Sequence, residues 1–356
     1  MYRVVVAREL GIVYPCSRLP LSHRPEPGEY VSHGGSMILV VGQNSTWQKT
    51  YFFGAIERGL VNRVREARES AAGKGANVGR VLTRYQLPHM VFAYNGGPTG
   101  GKFAGDCEAD GIAMHFLEIA GETRTCVTLI ESDGVVTELV EPAPAVTAEE
   151  REAYHAALFA GMGEASYLCI SGTAMSGETD DCYLEFSRAA KDAGVPILLD
   201  SYKAHAERAL EVGPQLLKIN DMELGALSGR PVETAEDRAA ACALLRRRYG
   251  IRWCIITRGK DGIEGYDESM AVLATPPEVQ AVNPIGSGDS VSAGVLSVLE
   301  TDGRPFDELD GDEDVFERAV LEGVAAGTAN CMNWKPAAIE PGDLKQVRGG
   351  VTLTRL

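Results

Sequence analysis

The sequence predicts an α/β fold: a doubly wound, mostly parallel sheet with helices on both faces and a small second β-sheet that serves as a lid. From Met37 onward, short apolar runs alternate with amphipathic stretches, which is the pattern of a parallel sheet covered by helices. This order is interrupted near 50–66 and again near 111–140, where β-rich segments replace the expected crossover helices. A small sheet over one edge of the main sheet accounts for both interruptions, and it would keep water away from a reacting group.

The apolar runs predict the core strands, and the stretches around them predict the helices. The strands are expected at 37–42, 89–94, 166–171, 195–199, 215–218, 253–257 and 262–266. The helices are expected at 75–86, 99–109, 147–160, 178–193, 220–228, 233–248, 287–300 and 312–331.

Residues 1–36 differ in composition from the rest of the chain. They contain four prolines and the pair Gly34-Gly35, and they lack the apolar core and cleavage site of a signal peptide. Met37 opens a clean strand pattern. We therefore expect 1–36 to be an N-terminal extension outside the core fold, with Met37 as the natural start, and 37–356 to form the main domain.

Composition excludes several classes of protein. A chain of 356 residues with 45% hydrophobic and 24% charged residues is ordinary for a globular protein. The net charge of −16, without a basic stripe, argues against a nucleic-acid partner. No apolar run approaches the ~20 residues that cross a bilayer, so we expect no membrane partner. The eight cysteines form no C-x-x-C pair, which favours reduced thiols in a cytoplasmic protein.

The most informative stretch is 283–290 (N-P-I-G-S-G-D-S), where a carboxylate stands among glycines at the start of an apolar helix. Backbone N–H groups at a helix start lack partners within the helix, so Gly286, Ser287 and Gly288 are suited to bind a phosphate. Asp289 could then accept a proton from an attacking hydroxyl. The simpler alternative is a glycine turn with an aspartate that caps a core helix.

Two other glycine-rich segments are ambiguous. Residues 96–103 fit G-x-x-x-x-G-K, but Phe103 replaces the Ser or Thr that would hold magnesium, which favours a plain strand-to-helix turn. Residues 73–80 place their third glycine one residue too late for a dinucleotide fingerprint. Close approach of a small polar ligand, or simply a helix N-terminus, explains this second segment.

Together these motifs resemble one family. The chain resembles the ribokinase-like sugar kinases of the phosphofructokinase B family, nearest to the branch of the 1-phosphofructokinases and tagatose-6-phosphate kinases. The family's G-G-K-G-x-N-V-A-R appears at 72–80 as A-G-K-G-A-N-V-G-R, and its T-V-G-A-G-D-S appears at 284–290 as P-I-G-S-G-D-S. Weaker matches keep the family's order and spacing, and the similarity runs from Met37 into the C-terminal region. These matches are V-N-R at 61–63, T-R at 123–124, S-G-T at 171–173, K-I-N-D-M-E at 218–223, T-R-G-K-D-G at 257–262 and G-V-A-A-G-T-A at 323–329.

The resemblance implies a kinase that uses ATP and Mg²⁺ to phosphorylate a hydroxyl of a sugar phosphate. Asp289 would be the general base, and Gly286, Ser287 and Gly288 would form the anion hole. Asn220 and Glu223 would orient Mg²⁺ or its waters, because hard oxygen ligands suit that ion.

The implied binding residues form two groups. The acceptor would contact Gln48, Gly73, Lys74, Asn77, Arg124 and Thr173. ATP would contact Lys218, Asn220, Glu223, Thr257, Gly259, Gly262, Ala281, Asn283, Ala329 and Asn333. Lys74 and Arg124 are the cations assigned to the phosphate of the acceptor, with Arg63 as a weaker candidate. For any one residue of the nucleotide group, a structural role in a turn or in helix packing is about as good an explanation as contact with ATP.

The departures from the family concentrate on the acceptor side. The family's N-P-A-L-D reads N-S-T-W-Q at 44–48, so Gln48 replaces an aspartate that holds sugar hydroxyls, and Trp47 could add a stacking wall. The family's D-T-S-G reads D-S-Y-K at 200–203. Two alternatives therefore stay open: a kinase of the same fold for an unphosphorylated sugar, polyol or nucleoside, and a ligand-binding relative without catalysis. The apolar run at 51–53 and the family together suggest a homodimer through the lids.

Overall fold

The computed structural model describes residues 36–356 and, before them, the backbone of two short antiparallel strands, β1 (Val4–Val6) and β2 (Val13–Pro15). The rest of the segment 1–35 lies outside the described residues, and the assignment of 1–36 as an extension stays a prediction. Within 36–356, no helix is both long and apolar enough to span a membrane.

Ten strands form the main sheet. They are β3 (Met37–Asn44), β6 (His89–Asn95), β7 (Met114–Glu118), β10 (Ala165–Ser171), β11 (Ile197–Asp200), β12 (Leu216–Asn220), β13 (Trp253–Thr257), β14 (Ile263–Tyr266), β15 (Ala271–Thr275) and β16 (Thr352–Arg355). Their order across the sheet is β7-β6-β3-β10-β11-β12-β13-β14-β15-β16. The strands from β7 to β13 are parallel, and β14, β15 and β16 are each antiparallel to the strand before them.

Helices cover both faces of this sheet, as predicted. They are α1 (Lys74–Arg84), α2 (Gly97–Ala109), α3 (Ala148–Gly161), α4 (Cys182–Asp192), α5 (Ala204–Leu210), α6 (Asp221–Ser228), α7 (Ala235–Tyr249), α8 (Ser287–Asp302), α9 (Phe306–Leu309), α10 (Glu313–Cys331) and α11 (Pro341–Gly350). Side chains alternate along each strand, so Ile38 and Val40 face a core with α1, α8 and α10, whereas Leu39 and Val41 face a core with α3, α4 and α7.

A separate small sheet lies beside the main one, which confirms that prediction. Its strands are β4 (Thr46–Phe52), β5 (Glu66–Ala72), β8 (Arg124–Ile130) and β9 (Val136–Val140), in the order β5-β4-β8-β9. The predicted bounds need correction, because the first pair of strands extends beyond 50–66 on both sides.

The second predicted lid segment, 111–140, was partly wrong. Its first strand, β7, pairs in parallel with β6 at the edge of the main sheet, with Val91 opposite Met114. Since α2 connects β6 to β7, these three elements form an ordinary parallel crossover. Only β8 and β9 of this segment belong to the small sheet.

All predicted strands and helices of the main fold are present, with bounds that differ by up to four residues. The prediction missed α5, α9, α11, β15 and β16. These elements are short, and the half-exposed or glycine-containing sequences of β16 and α11 give weak periodicity.

Candidate active site

The main sheet has a switch point between β3 and β10. The chain runs from β3 to β6 and β7 on one side, and from β10 to β11, β12 and β13 on the other. Ligands of open α/β sheets bind at the carboxyl ends of the strands at such a point. A cavity of about 160 Å³ lies there. The main sheet, the start of α1 and the small sheet all line it, through Gly42, Asn44, Lys74, Gly75, Arg124, Ser171, Gly172, Thr173, Ser201 and Tyr202.

The glycines of 73–75 allow the backbone of α1 to reach the end of β3. A Cβ atom placed at Gly75 would lie 2.5 Å from the Cα of Gly42, so neither position tolerates a side chain. Gly73, predicted as a substrate contact, has φ 102° and caps the start of α1 beside the Asn44 carbonyl. This close approach explains the glycines and brings Lys74 into the cavity.

The loop 283–286, called the anion loop because the sequence predicts an anion site at its end, precedes α8. Gly286 adopts the left-handed conformation with φ 84° at the N-cap, which glycine favours. The N–H of Ser287 donates to the Pro284 carbonyl at 3.2 Å, so this member of the predicted anion hole already has an acceptor. Within residues 36–356, the N–H groups of Gly286, Gly288 and Asp289 have no acceptor in hydrogen-bonding range. The set of available donors therefore extends one residue further along than predicted and omits Ser287.

Asp289 is buried, with 6% of its surface exposed. Asn77 Nδ2 donates to Asp289 Oδ2 at 2.7 Å, so Asn77, predicted to contact the substrate, also orients this carboxylate. Burial raises the pKa of Asp289, although Lys74, Lys218 and the Asn77 hydrogen bond act in the opposite direction. A carboxylate with a raised pKa is a stronger base once it is ionised, which suits proton abstraction from a hydroxyl.

Asp200 is a central residue that the sequence motifs left without a role. It ends β11, is fully buried, and accepts from Lys74 Nζ at 2.9 Å and Lys218 Nζ at 3.2 Å. Ser171 and Ser292 donate to its other oxygen at 3.2 and 3.0 Å. Burial alone would raise the pKa of Asp200, but Lys218 and Lys74 hold it below its usual value. An aspartate that ends an apolar strand beside the switch point was the available signal.

Lys74 and Lys218 bring positive charge to the anion loop. A Cβ atom placed at Gly288 would lie 2.7 Å from Lys218 Nζ, so the ammonium group lies directly beside the first turn of α8. Burial alone would lower the pKa of Lys74, but Asp200 and Asp289 raise it above its ordinary value. Lys74 is therefore charged at neutral pH, and its ammonium group attracts the carboxylate of Asp289.

The small sheet contributes Arg124, the first residue of β8. Its Nε donates to Thr46 Oγ1 at 3.0 Å, and its Nη1 donates to the Glu141 carbonyl at 3.3 Å. Thr173 faces the same cavity, and its carbonyl accepts from Asn44 Nδ2 at 2.6 Å. Arg63 is exposed on the loop between β4 and β5 and does not line this cavity.

Gln48 occupies a different place from the one predicted. It is 3% exposed, does not line the cavity, and donates to Thr128 Oγ1 of the small sheet at 2.7 Å. Trp47 lies on the opposite face of β4, where its indole donates to Glu69 at 2.9 Å and lies beneath Lys102 of α2. Since successive side chains of a strand point to opposite faces, Trp47 provides no wall on the side of Gln48.

The predicted metal and phosphate residues form the start of α6. Asn220 Oδ1 accepts from the Glu223 N–H at 2.9 Å, and Glu223 Oε2 accepts from the Asn220 N–H at 3.0 Å. This capping box fixes both side chains. No cluster of three or more His, Cys, Asp or Glu side chains suited to a metal occurs in the described part of the chain. Glu223 acts electrostatically on Lys74, and a single carboxylate at this place nevertheless fits Mg²⁺, which keeps several waters and binds substrate phosphates.

The remaining predicted nucleotide residues divide into accessible and buried ones. Thr257 ends β13, and Gly259 and Gly262 form the turn into β14 with positive φ. Ala281 is exposed and Asn333 half-buried, whereas Asn283 and Ala329 are fully buried. Asn283 donates to the Trp334 carbonyl at 2.8 Å and accepts from the Ile285 N–H at 3.0 Å, so its side chain orders the anion loop.

This geometry defines a class of protein. The site combines a buried carboxylate, N–H groups at a helix start that are unpaired among the described residues, and two ammonium groups, and it lies at the switch point of a doubly wound sheet. Enzymes that transfer phosphoryl groups have this arrangement. Residues 36–331 match the sequence model of the pfkB family of carbohydrate kinases. The chain belongs to this family, and the protein is an ATP-dependent carbohydrate kinase.

Solved structures share the fold. A Staphylococcus aureus protein assigned as a phosphofructokinase aligns with TM-score 0.71 and 25% identity over 90% of this chain and 99% of its own. Escherichia coli phosphofructokinase-2 in complex with fructose 6-phosphate aligns with TM-score 0.76 and 20% identity over 88% and 98%. A Thermotoga maritima protein assigned as a 1-phosphofructokinase aligns with TM-score 0.78 and 20% identity over 90% and 99%.

Proposed function

We propose that the protein transfers the γ-phosphoryl group of ATP to a hydroxyl of a sugar phosphate, in the manner of a 1-phosphofructokinase or tagatose-6-phosphate kinase. The observation that supports this best is the cavity at the switch point, which Lys74 and Arg124 both line. Two cations in one small cavity of a chain with a net charge of −16 favour an anionic acceptor.

Asp289 accepts the proton of the acceptor hydroxyl in this proposal. Asn77 holds the carboxylate in one orientation at 2.7 Å. The N–H groups of Gly286, Gly288 and Asp289, together with the Lys218 ammonium group, stabilise charge on the phosphoryl group as it moves. Transfer is direct, because positioning and charge stabilisation account for most of the catalysis in such reactions.

Glu223 and Asn220 are the residues that would hold Mg²⁺ through water, and the ion would neutralise charge on the nucleotide phosphates. Thr257, Gly259, Gly262, Ala281 and Asn333 are accessible and stay proposed nucleotide contacts. For Asn283 and Ala329 we propose support of the site from beneath, because both are fully buried.

The acceptor is tested with a panel of fructose 1-phosphate, fructose 6-phosphate, tagatose 6-phosphate and their unphosphorylated counterparts, with ADP release as the measurement. We expect turnover of at least one sugar phosphate. Arg124→Ala should raise the KM for that acceptor by about tenfold or more, since a hydrogen bond to a charged group contributes about 1.5–3 kcal/mol.

The control is Arg63→Ala on the exposed loop, which should leave the KM nearly unchanged. Turnover of an unphosphorylated sugar, polyol or nucleoside alone, with a KM insensitive to Arg124→Ala, would establish the alternative acceptor. Wild-type protein that releases no ADP with any acceptor would contradict the proposal.

We also propose a homodimer through the small sheets. Large apolar side chains are exposed on strand β9 and on the loop between β4 and β5, with Val61 80%, Leu60 65% and Val140 60% exposed. The residues first expected at this contact, 51–53, are less accessible, because Phe53 is 8% exposed. The seven described cysteines are free thiols, which supports a cytoplasmic location.

A further inference from the structure

Lys203, the residue after Tyr202, has backbone angles that residues with a side chain rarely adopt. Lys203 has φ 73° and ψ −174°, a region that is almost exclusive to glycine. The family pattern that resembles this segment, D-T-S-G, has glycine at this position. A lysine therefore persists at a place where glycine would relieve backbone strain.

Folding does not account for this lysine. Its side chain is exposed and belongs to neither apolar core. Within residues 36–356, no carboxylate lies within 4.0 Å of its ammonium group. Strain that packing does not explain, next to a ligand cavity, points to a functional role for the side chain.

The location of Lys203 indicates what that role is. Its ammonium group lies 5.1 Å from the centroid of the Tyr202 ring, and Tyr202 lines the acceptor cavity. Arg124, which lines the same cavity, also has no carboxylate partner within 4.0 Å in the described part of the chain. Lys74 is different, because Asp200 already pairs with it. Arg124, which lines the cavity, and Lys203, which contacts the cavity-lining Tyr202, are thus two cations of an acidic protein with no carboxylate within 4.0 Å in the described part of the chain.

We propose that Lys203 is a specificity-determining residue that binds the phosphate of the acceptor at the rim of the cavity, where the Tyr202 ring supports its side chain. This inference rests on the proposed function. It assigns the enzyme's preference for phosphorylated acceptors to a residue outside the family motifs. An ammonium group on a flexible stem contacts a phosphate as a point charge, whereas Arg124 offers a bidentate fork.

The test compares substitutions that separate charge from backbone strain. Lys203→Gly removes both, so the urea midpoint should rise, while the KM for the preferred sugar phosphate should rise about tenfold. Lys203→Met removes only the charge and should raise the KM without the gain in stability. Lys203→Arg should keep the KM near the wild-type value. The KM for ATP should not change in any variant.

The matched control is Gln86→Gly. Gln86 is also exposed and has a positive φ of 59°, but it lies just after α1, away from the acceptor cavity. This control should gain stability and keep wild-type kinetics. The second readout is the ratio of kcat/KM between the sugar phosphate and its dephosphorylated counterpart, which should fall in Lys203→Gly and Lys203→Met alone.

The outcomes distinguish the two proposals. If wild-type protein phosphorylates a sugar phosphate and both neutral variants keep its KM and acceptor preference, the role of Lys203 is overturned and the proposed function stands. If wild-type protein acts on no sugar phosphate, both are overturned. A higher KM in Lys203→Met with an unchanged urea midpoint supports the assignment, because a purely structural role would change stability first.

Discussion

At Asp289 the protein buries a carboxylate at the start of α8, and the proposed role as general base needs this carboxylate ionised. Because burial raises its pKa in the folded state, the ionised form is less favourable in the folded protein than in the unfolded one. Above that raised pKa the residue therefore lowers the stability of the fold, and below the unfolded pKa the penalty disappears. The neighbouring Lys74, Lys218 and Asn77 reduce this penalty without removing it.

Asp289→Asn should separate activity from stability. We expect kcat to fall by about 10²–10⁴-fold, because the amide cannot accept the proton, and the urea midpoint at pH 7 to rise, because the burial penalty is gone. Steady-state ADP release and urea unfolding measure the two effects. Near wild-type activity in this variant would exclude Asp289 as the base and would favour a different role for the anion loop.

Asn77→Ala tests the hydrogen bond at 2.7 Å between Asn77 and Asp289. This bond lowers the pKa of Asp289, so its loss should raise that pKa further. The acid limb of kcat/KM against pH should then move to higher pH, since the base must be ionised to act. Thr83→Ala, in the last turn of the same helix, is the control. Coincident acid limbs for Asn77→Ala and wild-type protein would contradict the proposed orientation of the base.

Between elements, the small sheet contacts the loop after α10, which in turn contacts the loop before α8. The Arg68 guanidinium of β5 lies 5.0 Å from the centroid of the Trp334 ring. The Trp334 carbonyl accepts from Asn283, and Asn283 accepts from the Ile285 N–H, one residue before Gly286. A continuous set of contacts thus connects the small sheet to the start of α8.

Arg68→Ala should loosen the small sheet from this loop. Since a cation–π contact contributes about 0.5–1 kcal/mol, we expect the KM for the acceptor to rise about two- to fivefold, with a smaller effect on kcat. Lys102→Ala is the matched control, because it removes a comparable contact, 5.8 Å from the centroid of the Trp47 ring, on the other face of the sheet. Equal effects of the two substitutions would argue against a specific role for the Arg68 contact.

At the scale of the whole molecule, Asp200 is the buried residue at which several helices and strands meet. It ends β11 and contacts Lys74 of α1, Lys218 of β12, Ser171 of β10 and Ser292 of α8. Three neighbouring strands, β10, β11 and β12, and two helices therefore meet at one buried carboxylate. Removal of one partner of a buried ion pair leaves charge without compensation, and this costs more than the pair itself contributes.

Asp200→Asn should lower the free energy of unfolding by about 3–5 kcal/mol near pH 7. Because the pKa of Asp200 is lowered in the folded state, its contribution is complete above the unfolded pKa of about 4 and is lost as pH falls through the folded value. The difference from wild type should thus be constant from about pH 5 upward and shrink below about pH 4.

Urea unfolding across this pH range measures the effect. Asp181→Asn, which breaks the exposed pair with Arg208, is the control and should cost about 1 kcal/mol or less. A cost at Asp200 no larger than the cost at Asp181 would contradict the proposed structural role.

Most of the fold was predictable because its signals are local. Apolar runs such as 37–42 and 253–257 have few alternatives to buried parallel strands, and the core helices have clear starts, such as the capping boxes at Thr147 and Thr234. The strand β7 was assigned to the wrong sheet because a short half-buried strand has the same local pattern in either sheet. Its partner is decided by the crossover through α2.

The doubly wound architecture, the separate small sheet, the family, and the position of Asp289 at the start of a core helix were all predictable from the amino-acid order, since periodicity and motif spacing are local properties of a chain. Four other facts required the folded molecule: Asn77 orients Asp289, Asp200 pairs with Lys74 and Lys218, Gln48 bonds to Thr128 and does not line the cavity, and Lys203 contacts the cavity-lining Tyr202. These facts depend on which strand ends meet at the switch point, and on the face to which each side chain points. Contacts between residues distant in the chain leave no local trace in sequence, because burial, distance and charge balance exist only once the chain has folded.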